Sequence, residues 1–523
     1  MFEIALILGI FANSIFLAGL LHLLTQPVII TLSLVTLFAL LVLAKHIFYH
    51  VKQEVYTWGR RDSLLVSLVV IASLINLVGA LGPELAFDAL WYHLTLPKLY
   101  LLHQEIYFVP GNLLYYSAMP RLGEMFFTAA LSLNGEILAK LMQWGFGILT
   151  LITTYLVARR FVNKTYALLA VALLASNLVF AWESTTAYID LIRTFFESTA
   201  FLALLFWMEK SEKKYLLLAG VCIGFALETK LLAIGSVGVF TLLILALCYQ
   251  KKFSVIKTLQ NVILFLIFPL LLISPWFIFS WIHAGSPFYP FFPKVFDVEQ
   301  GSSLNPILFL KDTWTLFTHA DDPLSPLYIM ILPALFLIKE KTKNFSLLAI
   351  YSLFTFLFWY AAPHIGGARY FLPYLPIWSV FTLVIISHVH DTFLKKMFIA
   401  TVVFFLLVTS FYRAVANKRY LPVIFGRETQ TQFLTDHLNF SYGDFVDSDG
   451  WFARNIKTTD RVLLINFHNL YYVNFPYVHQ SWQTPQDSFD YIAVQDAPLP
   501  PNSAHVRLVY TNPLTHVQVY QVQ

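Results

Sequence analysis

Apolar runs about 20 residues long recur along this chain, and that is the length a helix needs to cross the hydrocarbon core of a bilayer. Inside lipid every backbone N–H and C=O must be satisfied within its own segment, so such runs are expected as helices. On this rule about 13 spans are expected, near residues 2–24, 27–45, 63–82, 136–158, 165–182, 187–208, 215–228, 231–249, 259–282, 326–338, 345–362, 370–388 and 396–413. The seventh is short and meets the eighth at Glu228-Thr229-Lys230, so this pair reads as two tilted spans or a re-entrant hairpin. Only 12% of the 523 residues are charged, against about a quarter in a soluble domain. The first run carries Glu3 and lacks the basic start and small-residue cleavage site of a signal peptide, so it is expected as a retained helix. Cys222 and Cys248 both fall in apolar runs, which argues against a disulfide framework.

Positive charge orients the bundle. Alternate loops are short and basic, carrying Lys45, Lys52, Arg60 and Arg61; Arg159, Arg160 and Lys164; Lys210, Lys213 and Lys214; Lys251, Lys252 and Lys257; Lys339, Lys341 and Lys343; and Lys395 and Lys396. These are expected on the cytoplasmic side, with the N-terminus inside and the C-terminus outside. Two outer loops are large, about 83–135 and 283–325, and both are rich in aromatic residues, so both are expected to pack at the membrane surface. After Phe411 the composition turns polar. Two parts follow: residues 1–413 as a transmembrane domain, and 414–523 as a small soluble α/β domain outside the membrane. In that tail, helical patterns lie near 428–438 and 444–456, and strand-like runs at Arg461–Ile465, Tyr491–Val494, Val506–Tyr510 and Val517–Val522. The expected fold class is an all-α polytopic membrane bundle with a small C-terminal extracytoplasmic α/β domain. No nucleotide-binding glycine pattern, metal-ligand spacing or internal repeat is present, and the sequons at Asn163 and Asn439 carry little weight.

Charges in or beside membrane helices are costly and tend to mark a site or a structural pair. One set shares the outer side: Asp88, Lys98, Arg121, Glu124, Glu183, Asp190, Lys230 and Arg369. Individually each has a plainer reading. Asp88 and Asp190 suit helix N-caps, Arg121 and Arg369 suit headgroup anchors, and Lys230 suits the solvated tip of a hairpin. His93 has no second His at ligand spacing and reads as structural. Arg193 and Lys140 read as snorkelling residues. Taken together, their common sidedness suits transfer from a lipid phosphate. A carboxylate takes the proton of an acceptor hydroxyl, and cations stabilise the departing phosphate.

Several stretches resemble bacterial type C (GT-C) glycosyltransferases, relatives of the protein O-mannosyltransferases and the lipid A aminoarabinose transferase. They are Asp88-Ala89-Leu90-Trp91-Tyr92-His93-Leu94-Thr95-Leu96-Pro97-Lys98-Leu99-Tyr100, Gly220 through Lys230, Pro275-Trp276 with Gly285-Ser286-Pro287-Phe288-Tyr289-Pro290, and Arg369-Tyr370-Phe371-Leu372-Pro373-Tyr374-Leu375-Pro376. Tyr188-Ile189-Asp190 stands at the place of that family's second acidic residue. The resemblance implies an inverting transferase whose donor is a sugar on a polyprenyl phosphate. It implies Asp88 as general base and Asp190 as an acceptor-orienting or supporting acid. Substrate contacts fall to Tyr92, His93, Lys98, Arg121, Glu124, Lys230 and Arg369, with Arg121, Lys230 and Arg369 toward the lipid phosphate. The chain departs from many relatives in having two spans, not one, before the span leading into the Asp88 loop. Asp88 also lacks the paired acid of some relatives, and the Lys-Pro-Pro pattern of others is absent after Pro120.

The expected protein is therefore a bacterial inner-membrane glycosyltransferase. It would move a sugar at the periplasmic face to a glycolipid, polysaccharide or protein acceptor, with no nucleic-acid partner. A divalent metal is left open as cofactor. A lipid or sugar transporter or flippase is a second reading, but no repeated halves are seen and the charges sit at one face. An O-antigen ligase or polymerase is a third, but the 283–325 loop has no Arg and only His283 and His319.

Overall fold

The computed structural model describes residues 1–55, 57–290, 306–318, 322–338, 343–362, 367–499 and 506–523. Among the described residues, nine helices are long and apolar enough to cross a bilayer: Phe2–Leu20, Gln26–Lys45, Arg60–Ala80, Glu136–Ala158, Asp190–Lys210, Leu231–Gln250, Val255–Ala284, Ala368–His388 and Thr392–Ile424. The chain is a multi-pass membrane protein. The expected 13 spans reduce to these nine plus shorter pieces, for local reasons. The run at 165–182 breaks after Lys164–Ala175, where the Asn177 amide donates to the Leu173 and Leu174 carbonyls and ends the helix. The run at 326–338 holds a helix of 4 residues, Leu327–Met330, and a 3-10 turn, Leu332–Leu337, with Pro326 and Pro333 interrupting it. Lys213–Thr229 is a single helix of 17 residues.

The Asp190–Lys210 helix is the axis of the bundle. It is buried on nearly every side. It packs most extensively on Lys213–Thr229 and on Glu136–Ala158. Its polar residues bond internally: Thr194 donates to the Asp190 carbonyl, and Arg193 Nε to Glu197 Oε1 at 2.6 Å. Lys213–Thr229 in turn lies against Val255–Ala284. Contact there depends on Gly220 and Gly224, spaced four apart so that both present backbone to the neighbour. A Cβ on Gly220 would collide with the Phe265 carbonyl oxygen. Pro269 leaves that carbonyl without its usual helical donor.

The outer loop at 83–135 does not simply lie on the surface. It forms a π-helical turn at Ala89–His93, a helix at Thr95–His103, a 3-10 turn at Tyr115–Ala118 and a helix at Leu122–Asn134. Leu122 to Ala130 are all buried, against the first helix and Glu136–Ala158. Of the second outer loop, 291–305 and 319–321 lie outside the described residues, as do Lys339 and Lys341 of the basic loops; Pro306–Thr318 is a helix. The first helix is part of the bundle: Phe16 stacks on Trp276 at 3.8 Å, and Asn13 donates to Glu228 Oε2 at 2.9 Å.

The tail carries a five-stranded sheet of order β2-β1-β3-β5-β4, with β1 Val462–Ile465, β2 Tyr477–His479, β3 Tyr491–Gln495, β4 Val506–Asn512 and β5 Val517–Val522. β1 runs parallel to β2 and β3, and β5 antiparallel to β3 and β4. The pattern at 428–438 becomes the helix Gln430–His437, the one at 444–456 keeps only Trp451–Asn455, and β2 is an added strand. The sheet is docked on the outer loop. Lys98 Nζ donates to the Tyr471 and Val473 carbonyls and to Asn474 Oδ1 at 2.7, 2.6 and 2.9 Å. Tyr472 donates to the Glu84 carbonyl and Glu136 Oε1.

Two predictions follow from this packing. Gly220→Val should lower the thermal transition in detergent by the equivalent of about 1–3 kcal/mol, because helix contact made by backbone has no room for branched carbon. The second concerns His479, whose Nε2 faces the Phe467 carbonyl at 2.9 Å while Nδ1 accepts from Ser481 N. Burial pulls this imidazole from 6.5 to about 4. The unfolded chain then takes up the proton first, so stability falls as pH drops from about 6.5 to 4 and levels below that, by on the order of 3 kcal/mol. Hydrogen exchange in β1 should accelerate over that window, and His479→Gln should flatten the dependence.

Candidate active site

Four charged side chains from distant segments meet where the outer loop covers the bundle. Arg369 Nη1 donates to Asp88 Oδ2 at 2.6 Å, and its Nε lies 3.8 Å from Asp190 Oδ2. Lys230 Nζ donates to Asp190 Oδ1 at 2.7 Å. Local structure explains each position. Asp88 stands just ahead of the π-helical turn. Asp190 opens the axial helix. Lys230 ends Lys213–Thr229 in extended backbone, and Arg369 lies in the 3-10 turn Ala368–Tyr374. The two carboxylates and two cations sum to zero, so the cluster is neutral at rest.

Aromatic residues frame it. The Arg369 guanidinium lies 4.9 Å from the Tyr188 ring centre and 5.3 Å from that of Tyr370, and Lys230 lies 5.1 Å from Tyr370. The Tyr188 hydroxyl accepts from Asp88 N, and the Tyr92 hydroxyl donates to Asp88 Oδ2 at 3.3 Å. Burial, with the Asp88 charge beside it, raises the Tyr92 phenol well above its ordinary range, which keeps it a donor. Both bonds to the Asp88 carboxylate fall on Oδ2; among the described residues none is made to Oδ1. Tyr92 stacks on Tyr116 at 3.8 Å, and Tyr116 on Tyr115 at 4.2 Å.

The remaining predicted residues lie behind or apart. His93 Nδ1 pairs with Glu124 Oε1 at 2.7 Å, both fully enclosed, and the His93 ring backs Tyr92 at 4.1 Å. Arg121 is buried between Tyr100 and Trp276; its Nη1 donates to the Tyr116 carbonyl at 2.7 Å, while Nε and Nη2 have no partner among the described residues. Tyr116 therefore stands between Arg121 and Asp88. Lys98 is not brought to the cluster. Its three donors all go to the C-terminal domain, and it borders a separate cavity of about 860 Å³ shared with Glu136, Gln430, Tyr471 and Tyr472. Lys140, read as snorkelling, is instead buried and donates to the Gly82 and Pro83 carbonyls, and Arg193 pairs with Glu197 inside the bundle.

Sequence reasoning missed Glu84. Its Oε1 accepts from Leu85 N and Ala86 N, and its Oε2 from Ala187 N at 2.6 Å, so one carboxylate ties the loop of Asp88 to the turn of Asp190. It follows Gly82-Pro83 directly, but its burial and its backbone partners leave no mark in the sequence. Glu183 also lies buried near the cluster, accepting from Gln143 at 3.3 Å. The donor set does not suit a divalent cation: Asp88 and Asp190 are already bound to cations, and among the described residues no three His, Cys, Asp or Glu side chains gather.

The chain superposes on ArnT from Cupriavidus metallidurans in the apo state with a TM-score of 0.60 at 14% identity, covering 88% of this chain and 98% of that one. The same protein bound to undecaprenyl phosphate gives 0.56 at 13% identity, over 88% and 97%. Residues 121–279 match the family model described as dolichyl-phosphate-mannose-protein mannosyltransferase. The chain therefore shares the fold of ArnT over 88% of its length, and its residues 121–279 carry the mannosyltransferase family pattern. No curated protein matches it by sequence. The matched family segment includes Asp190, Lys230 and the Gly220–Gly224 contact, but neither Asp88 nor Arg369.

Removing one member of a buried ion network strands its partners. Arg369→Gln should therefore destabilise the protein by on the order of 3 kcal/mol, read as a lower thermal transition in detergent. Arg369→Lys should recover only part, because an ammonium cannot span both carboxylates as the guanidinium does.

Proposed function

We propose that this glycosyltransferase moves one sugar, with inversion, from a polyprenyl-phosphate donor to a hydroxyl of a glycan, lipid or protein acceptor. The site faces the periplasm of a bacterial inner membrane, with the N-terminus cytoplasmic and the C-terminus periplasmic, as the basic loops indicate. The observation that carries this reading is the Asp88–Arg369–Asp190–Lys230 cluster, in which the Asp88 Oδ1 has no partner among the described residues and two cations stand beside it. The ArnT structure with undecaprenyl phosphate supports the class of donor.

In the reaction the acceptor oxygen attacks the anomeric carbon as its proton passes to Asp88 Oδ1. The bond between that carbon and the phosphate oxygen breaks, and the electron pair leaves with the phosphate. Negative charge grows on that oxygen, and Arg369 and Lys230 stabilise it in a site poor in water. Asp190 keeps both cations in place before the donor arrives. Tyr92 and Tyr188 hold the Asp88 carboxylate and backbone, so the base does not rotate away.

The test is release of free polyprenyl phosphate from a panel of polyprenyl-phosphate sugars, with purified protein and a crude cell-envelope acceptor. Asp88→Asn should still insert and fold, because the amide oxygen can accept from Arg369 and Asp190 remains beside it, yet lose transfer by about 10²–10⁴-fold. Lys230→Gln should lower the rate of the bound complex more than it raises the KM for donor. Transfer by Asp88→Asn at the wild-type rate would overturn the assignment of the base.

A further inference from the structure

The C-terminal domain places His468 beside the turn that carries Asp88. His468 lies in the segment leaving the carboxyl end of β1, the edge at which α/β sheets commonly place ligand contacts. Its imidazole stacks on Phe87 at 4.8 Å and lies tilted by 51° against Trp91 at 4.5 Å. These two residues flank Asp88 in sequence and lie along the same turn, with Trp91 fixed by its Nε1 donating to the Leu113 carbonyl at 2.9 Å. Phe87 remains 37% exposed, so the platform opens to the outside.

The ring is held in one orientation. His468 N and Asn469 N both donate to the Gly443 carbonyl. Gly443 has φ +80°, and a Cβ there would meet the His468 Cβ. Asn469 Nδ2 donates to Asp444 Oδ1 at 2.6 Å, which turns Asn469 Oδ1 toward His468 Nδ1 at 2.9 Å. Because that oxygen can only accept, Nδ1 carries the hydrogen, and the neutral ring presents Nε2 as a bare acceptor. Among the described residues nothing donates to Nε2.

An aromatic platform with one fixed hydrogen-bond acceptor, next to a carboxylate base, has the chemistry of a sugar subsite. Apolar C–H faces of a pyranose lie on the rings, and a hydroxyl donates to the acceptor. We propose that Phe87, Trp91 and His468 bind the sugar ring of the acceptor, with one of its hydroxyls donating to His468 Nε2. This makes the C-terminal domain the source of acceptor specificity. The identity of the occupant as acceptor rests on the transfer reaction proposed above; binding of a sugar at this place does not.

The experiment uses full-length protein in phosphatidylglycerol nanodiscs and saturation-transfer NMR with methyl glycosides of glucose, mannose, galactose and N-acetylglucosamine. Wild type should saturate the ring protons of at least one glycoside. His468→Phe keeps the stack and loses the acceptor nitrogen, and should weaken that binding by about fivefold. His468→Gln, which keeps an acceptor oxygen and loses the ring, serves if the Phe variant folds poorly, and should also weaken it. Equal saturation in wild type and variant, or none in wild type with all four glycosides, would overturn the subsite. Glycoside binding that depends on His468 in a protein that never releases polyprenyl phosphate would sink the transfer reaction and leave the subsite standing. Release by an enzyme indifferent to both variants would do the reverse.

Discussion

Arg369 sits between two carboxylates that could not otherwise share this place. Asp88 and Asp190 come from segments about a hundred residues apart, and both are drawn out of bulk water. Each alone would be an uncompensated charge, and together they would repel. The guanidinium bonds one and approaches the other, while Lys230 completes the count from a third segment. The cluster is therefore both a tie and a charge store: it joins the outer loop, the axial helix and two further helix ends. Much else in the fold sets its parts. Gly220 and Gly224 let the helix bearing Lys230 approach its neighbour, and Glu84 ties the loop of Asp88 to the turn before Asp190.

The aromatic excess of the outer loop follows from the same requirement. A charge cluster at the membrane edge works electrostatically only if water is kept low and the groups are kept still. Tyr92, Tyr115, Tyr116, Tyr188 and Tyr370 do both. Their rings offer low-polarity bulk with few rotatable bonds, and their hydroxyls hold the polar atoms that face them. Behind them the His93–Glu124 pair and the sandwiched Arg121 form a second, enclosed layer. That layer is polar in sequence and unreachable in space.

How far this was legible depended on the kind of interaction involved. Long apolar runs report themselves, because lipid permits only one backbone solution, so the principal spans and the common sidedness of Asp88, Asp190, Lys230 and Arg369 could be read directly. Interruptions were harder. Ser176-Asn177 looks like a tolerable polar pair in an apolar run until its amide is seen bonding backward to Leu173 and Leu174. Lys98 shows the opposite failure. Its sequence neighbours match a site motif, but an amine on a flexible stem goes where acceptors are dense, here the backbone carbonyls of a domain almost four hundred residues away. Glu84 and His468 were illegible for a related reason: their partners are backbone groups or ring faces, and neither leaves a spacing in the sequence.

The transfer proposed above must bring together two substrates from different solvents. A polyprenyl phosphate arrives within the bilayer, and its charged end stops where the hydrocarbon ends. Lys230 and Arg369 lie at the starts of the apolar helices Leu231–Gln250 and Ala368–His388, where such a headgroup would meet them. An acceptor hydroxyl arrives from the aqueous side, and the groups that meet it need a scaffold outside the membrane. The sheet supplies one, locked to the outer loop by Lys98 and Tyr472 so that its β1 edge overhangs the turn of Asp88. Asp88 is the one carboxylate of the cluster carried by the outer loop, between the helix-borne cations and the sheet-borne imidazole. A base in that position can address both substrates without moving. On this argument the helical bundle governs the donor and the sheet governs the acceptor, and a chain with another C-terminal domain on the same bundle should keep its donor and change its acceptor.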